Sequence, residues 1–153
     1  MALSAIVAWY IGIGLLAAAG AVTLSSKLLS AKGEQIFFGL FLVPIAGMYL
    51  TFTTYFASTD AWRLETVAVV VFAVLGVLGS RVAFLLVLGY ALHGGWDLLH
   101  ESCAHTGVCF GTRSWSEIPL AYGFFCATFD WCMAGYFFTR RRQWSAAWRG
   151  QAR

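Results

Sequence analysis

Five long apolar runs separated by short polar segments constrain the fold of this chain more than any other feature. The runs cover residues 4–24, 35–57, 66–79, 82–100 and 118–139. A helix needs about 20 mainly apolar residues to cross a bilayer, and the third run is short by that measure. A single helix through residues 65–100 would nevertheless be about 54 Å long, which is too long for one crossing. We therefore expect a helical hairpin that turns at Ser80 and Arg81.

The composition of the chain places these runs in a membrane. Hydrophobic residues make up 60% of the 153 residues and charged residues only 11%, whereas soluble domains contain about 25% charged residues. A core of ordinary size cannot bury that much apolar surface, so the lipid bilayer must solvate most of it. The sequence thus predicts an all-α protein with a single domain over residues 1–153, an integral membrane bundle of five transmembrane helices.

The positive charges indicate how this bundle is oriented. Five crossings place most of the 10 lysine and arginine residues on one side: Lys27, Lys32, Arg81, Arg140, Arg141, Arg142, Arg149 and Arg153. Because cytoplasmic segments are enriched in lysine and arginine, we expect the N-terminus outside and the C-terminus inside, with residues 140–153 as a basic cytoplasmic tail. The net charge of +3 is then an orientation signal, and we expect no nucleic acid partner.

The fourth run ends in polar residues that share one helix face. His93, Asp97 and His100 are spaced four and three residues apart, as neighbours on one side of a helix are. Asp130 lies near the middle of the fifth run, and an antiparallel neighbouring helix would hold it at a depth similar to that of His93. A carboxylate at the bilayer centre costs about 2.5–3.5 kcal/mol on the mildest scale, so two of them beside a histidine need an explanation.

Three main interpretations remain open for these residues. The first is a structural clamp, in which Asp97 or Asp130 accepts a hydrogen bond from the neighbouring helix. The second is a metal site, in which His93, Asp97, His100 and Asp130 present ligands to a divalent ion such as zinc or iron. The third is a metal-free acid/base site with His93, Asp97 and Asp130 as the catalytic residues. Proton or ion passage and haem ligation by His93 are further alternatives.

Our working hypothesis is an intramembrane site between helices four and five that binds a metal or performs acid/base chemistry on a lipophilic small molecule. Tyr90, Trp96 and Tyr122 would supply the aromatic walls that small-molecule and cofactor sites commonly have. The competing hypothesis is a non-catalytic subunit or scaffold, either a homo-oligomer or part of a larger membrane complex. In that protein the polar residues only lock the two helices together.

Two cysteines lie in the connection that this topology places outside. Cys103 and Cys109 flank His105, and in an oxidising compartment we expect them to form a disulfide. Together with His105 they would instead offer soft metal ligands or a redox pair. Cys126 and Cys132 fall within the fifth run and are expected to stay separate.

The segment His93-Gly-Gly-Trp96-Asp97-Leu-Leu-His100 resembles the His-x2-Trp-Asp-x2-His signature of a family of small bacterial membrane proteins, domain of unknown function 6010. That family carries a Cys-x3-Asp pair on a later helix, and the spacing of Cys126 and Asp130 is similar. It often has a second histidine after the first motif, where this chain has Glu101. The resemblance covers about the last third of the chain. It implies a multi-pass protein of the bacterial inner membrane with a polar site on paired helices, and it implies no particular reaction.

Overall fold

A computed structural model describes residues 2–106, 109 and 115–150, and that part of the chain is all-α. Its long helices are α1 (Ala2–Leu28), α2 (Ala31–Tyr55), α3 (Trp62–Gly79), α4 (Ala83–Thr106) and α5 (Tyr122–Trp148). A short 3-10 helix at Thr59–Ala61 joins α2 to α3. The all-α prediction is confirmed, and so is the hairpin, because α3 ends and α4 begins on either side of Ser80 and Arg81.

The helices do not stop where the apolar runs stop. α2 begins at Ala31, where the hydroxyl of Ser30 caps the helix by accepting a hydrogen bond from the Gly33 amide at 3.2 Å. α4 continues for six residues beyond the end of the fourth run. α5 starts at Tyr122 because Ala121 adopts a left-handed backbone conformation with a φ of 61°. It then continues to Trp148, so most of the basic tail is helical.

Four helices form a bundle, and the remaining one, α1, packs against the outside of that bundle. α2, α3, α4 and α5 pack together, whereas α1 packs mainly against α5 and touches α2 at few points. Glycines permit the closest crossings. A Cβ atom at Gly14 would lie 2.7 Å from the carbonyl oxygen of Phe125, and one at Gly39 would lie 2.6 Å from that of Gly76. Small residues at such crossings are typical of helices that associate in membranes.

Three segments are long and apolar enough to cross a membrane, namely Ala2–Leu28, Ala31–Tyr55 and Thr59–Gly79. Large apolar side chains cover their outward faces. Trp9 and Leu16 of α1, for example, are 73% and 74% exposed. Apolar surface of this extent is unusual on a protein surrounded by water. These helices are therefore consistent with a membrane protein.

The buried carboxylate of Glu34 connects α1, α2 and α5 near the C-terminal end of α5. Glu34 accepts hydrogen bonds from Ser25 Oγ at 3.0 Å, from the Tyr136 hydroxyl at 2.5 Å and from Trp144 Nε1 at 2.9 Å. Arg140 adds an ion pair, with Nη2 at 2.9 Å from Oε2. We call these five residues the Glu34 cluster. From the sequence, Glu34 was expected in a polar connection, but it lies in the first turn of α2 and is fully buried.

Candidate functional site

The polar residues predicted on the fourth and fifth runs meet inside the bundle. His93 and Asp97 lie one turn apart on α4, and Asp130 lies across from them on α5. His93 Nδ1 is 2.6 Å from Asp130 Oδ2 and 3.4 Å from Asp97 Oδ2, and the three side chains are at most 1% exposed. We call these three residues the central cluster. One imidazole nitrogen thus faces carboxylates from two helices.

Glycines on both helices bring α5 close enough to α4 for this contact. A Cβ atom at Gly94 would lie 2.8 Å from Trp131 Nε1, and one at Gly123 would lie 2.7 Å from the Cβ of Glu101. The Trp131 indole in turn donates a hydrogen bond to the carbonyl oxygen of Ala91 at 3.1 Å. Gly94, the first of the two glycines that follow His93, therefore has a packing role beside the site.

A third helix contributes a residue that the sequence pattern did not reveal. The hydroxyl of Tyr49 on α2 donates a hydrogen bond to Asp97 Oδ1 at 2.5 Å, across 48 positions of sequence. The Tyr49 ring also packs on His100, with the ring centroids 4.1 Å apart. The only signal in the sequence was a tyrosine inside a predicted crossing, which does not identify its partner. Tyr49 holds one oxygen of Asp97 and so helps to orient the other toward His93.

His100 belongs to a different pair. Its Nε2 lies 2.8 Å from Glu65 Oε1 on α3, and its Nδ1 lies 3.1 Å from the carbonyl oxygen of Trp96. Both ring nitrogens of His100 are therefore engaged in hydrogen bonds within the bundle. The described structure thus places His100 apart from the other three predicted ligands. The physical reason is that His100 turns toward α3, where a buried carboxylate pairs with it.

Three atoms of the central cluster are buried without a hydrogen-bond partner among the described residues: His93 Nε2, Asp97 Oδ2 and Asp130 Oδ1. Such atoms are rare, since a buried polar atom left unpaired costs about 1–3 kcal/mol. His93, Asp97 and Asp130 each offer one ligand atom, and these three atoms lie within 4.8 Å of one another. The central cluster could therefore hold a metal ion.

Charge also favours a cation at this position. If both carboxylates are ionised they carry two negative charges, and within the described residues their ion pairs are with His93 alone and not with a lysine or arginine. An uncompensated buried charge is strongly unfavourable. A divalent cation bound beside a neutral imidazole would bring the cluster to neutrality.

The three predicted aromatic wall residues have different surroundings. Tyr90 is fully buried, and its hydroxyl donates to the carbonyl oxygen of Phe38 at 3.0 Å. Trp96 packs against Trp115, with ring centroids 5.1 Å apart. Of the three, only Tyr122 lines a cavity that borders the central cluster. Tyr90 therefore supports the helices around the site, and Trp96 lines a separate apolar cavity of about 640 Å³ between α3 and α4. Tyr122 is placed to meet a molecule in the cavity beside the central cluster.

Glu101, the residue after the His-x2-Trp-Asp-x2-His motif, holds the start of α5. Its carboxylate accepts hydrogen bonds from the backbone amides of Ala121 at 3.0 Å and Gly123 at 2.9 Å. The first amides of a helix lack partners within the helix, and negative charge is favourable there. Glu101 thus fixes the start of α5 against the C-terminal part of α4.

The predicted disulfide is confirmed. Cys103 and Cys109 are bonded, with their Cα atoms 4.5 Å apart, and Cys126 and Cys132 are free thiols. The bond ties the end of α4 to the following connection. The side chain of His105, the third member of the alternative metal set, lies outside the described residues.

Comparison with known proteins identifies one family. A model of a family of unknown function, DUF6010, matches residues 10–143. No curated protein and no solved structure matches the chain significantly. The matched range contains the central cluster, Tyr49 and most of the Glu34 cluster, so the match covers nearly the whole bundle.

Proposed function

The chain belongs to the DUF6010 family of unknown function, and from the geometry of its central cluster we propose a membrane protein that binds a divalent metal ion at His93, Asp97 and Asp130. The observation that carries the proposal is the convergence of three buried donors whose remaining atoms lack partners among the described residues. The substrate we propose is a lipophilic small molecule that enters from the bilayer.

The donor set suits zinc or iron. Open catalytic zinc sites have three protein ligands, and non-haem iron sites combine imidazole with carboxylate, leaving positions for a substrate atom. An ion bound here would supply Lewis acidity or activate a bound water. Tyr49 would orient Asp97, as hydrogen-bonding partners of metal ligands commonly do.

We further propose that all five helices cross a cell membrane, with the N-terminus outside. α4 and α5 contain 24 and 27 residues, which corresponds to about 36 and 40 Å at 1.5 Å per residue. Their outward faces carry exposed apolar side chains such as Phe84, Leu92 and Phe138. Their acidic residues, Asp97, Glu101 and Asp130, face the interior of the bundle, and the arginines of α5 lie together near its C-terminal end.

Labelling of single cysteines tests this topology. In a variant without the free thiols Cys126 and Cys132, a cysteine at Asp60 should react with an impermeant maleimide in intact cells, because the connection between α2 and α3 would lie outside. A cysteine at Arg142 should react only after the cells are permeabilised. The opposite pattern would reverse the orientation, and equal labelling at both positions would contradict an odd number of crossings between them.

Metal content tests the site. The protein purified without chelator should contain about one equivalent of zinc or iron, and Asp97→Asn or Asp130→Asn should lose it because an amide is a poorer ligand than a carboxylate. Tyr49→Phe should keep the site but weaken metal affinity by about 10–100-fold, the usual effect of removing a supporting hydrogen bond. Asp60→Asn, an exposed carboxylate elsewhere, should have no effect. Folded wild-type protein that neither contains nor takes up these ions would contradict the proposal.

A metal-free site is the second candidate, and the 2.6 Å contact between His93 Nδ1 and Asp130 Oδ2 favours it. That contact is suited to acid/base chemistry on a lipophilic molecule. It equally suits a structural clamp in a non-catalytic subunit of a homo-oligomer or larger membrane complex. Zero metal content in a purified monomer that is stable by itself would favour acid/base chemistry, whereas obligate copurification with other membrane proteins would favour the clamp.

A further inference from the structure

Trp148, the last residue of α5, joins three separate parts of the chain. Its Nε1 donates a hydrogen bond to Gln35 Oε1 on α2 at 3.0 Å. The Arg81 guanidinium, from the turn between α3 and α4, lies over the Trp148 ring at 4.2 Å from the centroid. Lys32 Nζ, from the first turn of α2, lies over the same ring at 5.1 Å. We call these four residues the Trp148 cluster, in which two cations from different elements meet at one aromatic ring.

A buried amide holds this ring in place. Gln35 is fully buried, and its Nε2 donates a hydrogen bond to the carbonyl oxygen of Gly79 at the end of α3, at 2.7 Å. Its Oε1 accepts the hydrogen bond from Trp148. The ring is thus fixed relative to the start of α2 and the end of α3, next to which Lys32 and Arg81 lie. A site whose parts are already in position loses less entropy when a ligand binds.

The acidic residues of the chain leave Lys32 and Arg81 without a carboxylate partner. Both cations are exposed, and the ion pairs within residues 2–106, 109 and 115–150 include neither of them. Glu34, the acidic residue at this end of the bundle, already pairs with Arg140. The other acidic residues lie in the middle of the bundle or toward its opposite end: Asp60, Glu65, Asp97, Glu101, Glu117 and Asp130. The two cations are therefore available to an anion from outside the chain.

Apolar surface begins directly beside these cations. Ile36 lies one helical turn after Lys32 on the same face of α2 and is 37% exposed, and Phe84, three residues after Arg81, is 63% exposed. Tryptophan and basic residues next to an apolar surface are typical of the level at which lipid headgroups lie. An anion that also carries apolar chains would meet both parts of this surface, whereas a small soluble anion would meet only the charges.

We propose that the Trp148 cluster binds the headgroup of an anionic phospholipid, whose phosphate pairs with Lys32 and Arg81. The acyl chains would lie beside the exposed apolar side chains that follow these two residues. This inference rests on the proposed crossing of the membrane, which places the cluster at the cytoplasmic leaflet, and it does not involve the metal site. Anionic lipids are present in that leaflet, and basic pockets between transmembrane helices bind their headgroups.

Lipid binding to the protein purified in detergent tests the inference. The probes are dioleoyl phosphatidylglycerol and dioleoyl phosphatidylcholine, which have the same acyl chains and differ in net charge. Native mass spectrometry measures the number of bound lipids and their dissociation constants. We expect phosphatidylglycerol to bind about thirtyfold more tightly than phosphatidylcholine, because each basic residue near a lipid headgroup contributes a factor of about five.

Charge-removing variants show whether the cluster is the site. Lys32→Gln and Arg81→Gln should each weaken binding of phosphatidylglycerol about fivefold, and the double variant about thirtyfold. Arg142→Gln removes the same charge from an exposed position on α5 and should change the affinity by less than about twofold, because a separate exposed charge contributes little. Trp148→Leu keeps both cations but removes the ring between α5 and the two of them, so it should also weaken binding. The thermal unfolding midpoint in detergent checks that each variant is folded.

Three results would overturn the inference. The first is equal binding of the two lipids, and the second is an equal loss of affinity in Lys32→Gln, Arg81→Gln and Arg142→Gln, which would indicate a diffuse positive surface. The third is displacement of the lipid by an equal concentration of glycerol phosphate, which would show that the cluster recognises a soluble phosphate.

The same samples separate this inference from the proposed function. Lipid in a micelle reaches both ends of the bundle, so its binding is measured whatever the orientation of the protein in a cell. Binding of phosphatidylglycerol by folded protein without metal would support the Trp148 cluster and overturn only the metal site. Metal-loaded protein that does not distinguish the two lipids would overturn only the lipid site.

Discussion

Replacing Glu34 with alanine should destabilise the protein by about 3–5 kcal/mol, because each donor left without its acceptor inside the protein costs about 1–3 kcal/mol. The change would leave the Arg140 guanidinium without its carboxylate and would remove the acceptor of Tyr136 and Trp144. A typical protein is stable by only about 5–15 kcal/mol, so the loss would be a large fraction of the total stability. The measurement is the free energy of unfolding in detergent micelles.

Two matched variants show whether this effect belongs to the buried carboxylate. Tyr136 and Trp144 donate to different oxygens of Glu34. Glu34→Gln keeps one of these acceptors and loses the other together with the ion pair, so it should cost less than Glu34→Ala. Asp60→Ala removes an exposed carboxylate and should change stability by no more than about 0.5 kcal/mol. If Glu34→Ala were as mild as Asp60→Ala, α5 would not depend on this cluster.

His93 and Asp130 should behave as one coupled unit in a double-mutant cycle. His93→Ala and Asp130→Asn should each cost about 3–5 kcal/mol, because each leaves a buried polar partner behind. The double variant should cost less than the sum of the two, with a coupling energy in the upper part of the range of about 0.5–3 kcal/mol seen for residues in contact. The physical reason is the 2.6 Å contact between His93 Nδ1 and Asp130 Oδ2.

The readouts of this cycle also separate the metal site from the clamp. If His93 and Asp130 share an ion, either single change should remove the metal. The difference in stability between the wild type and the single variants should then increase with metal concentration. If they form a clamp, coupling should appear in stability while metal content stays at zero. A control cycle combines His93→Ala with Glu34→Gln, whose residues belong to different clusters. The two changes in unfolding free energy should there be additive within about 0.3–0.5 kcal/mol. Additivity between His93 and Asp130 would mean that they share no site.

The sequence by itself predicted the helices and the residues of the central cluster. Helices in a membrane must satisfy their own backbone hydrogen bonds, so the existence of each one is a local property that its apolar run reveals. The spacing of His93 and Asp97 placed both on one face of α4 through the helical period alone. The position of Asp130 within the fifth run was enough to suggest a similar depth. The disulfide was predicted because the topology places Cys103 and Cys109 in the outer connection, where the compartment is oxidising.

Only the tertiary structure decided which polar residues pair. Glu65 and Glu34 read as connection residues in the sequence, yet both are buried because His100 and Arg140 meet them from other helices. Tyr49 reaches Asp97 because α2 packs beside α4. These contacts depend on which helix faces meet and on glycines that set the distance between the helices, and a pattern within one helix carries no information about its neighbour. Local period and hydropathy therefore determined the elements and the candidate residues, whereas packing across helices divided them into the central cluster, the His100 pair and the Glu34 cluster.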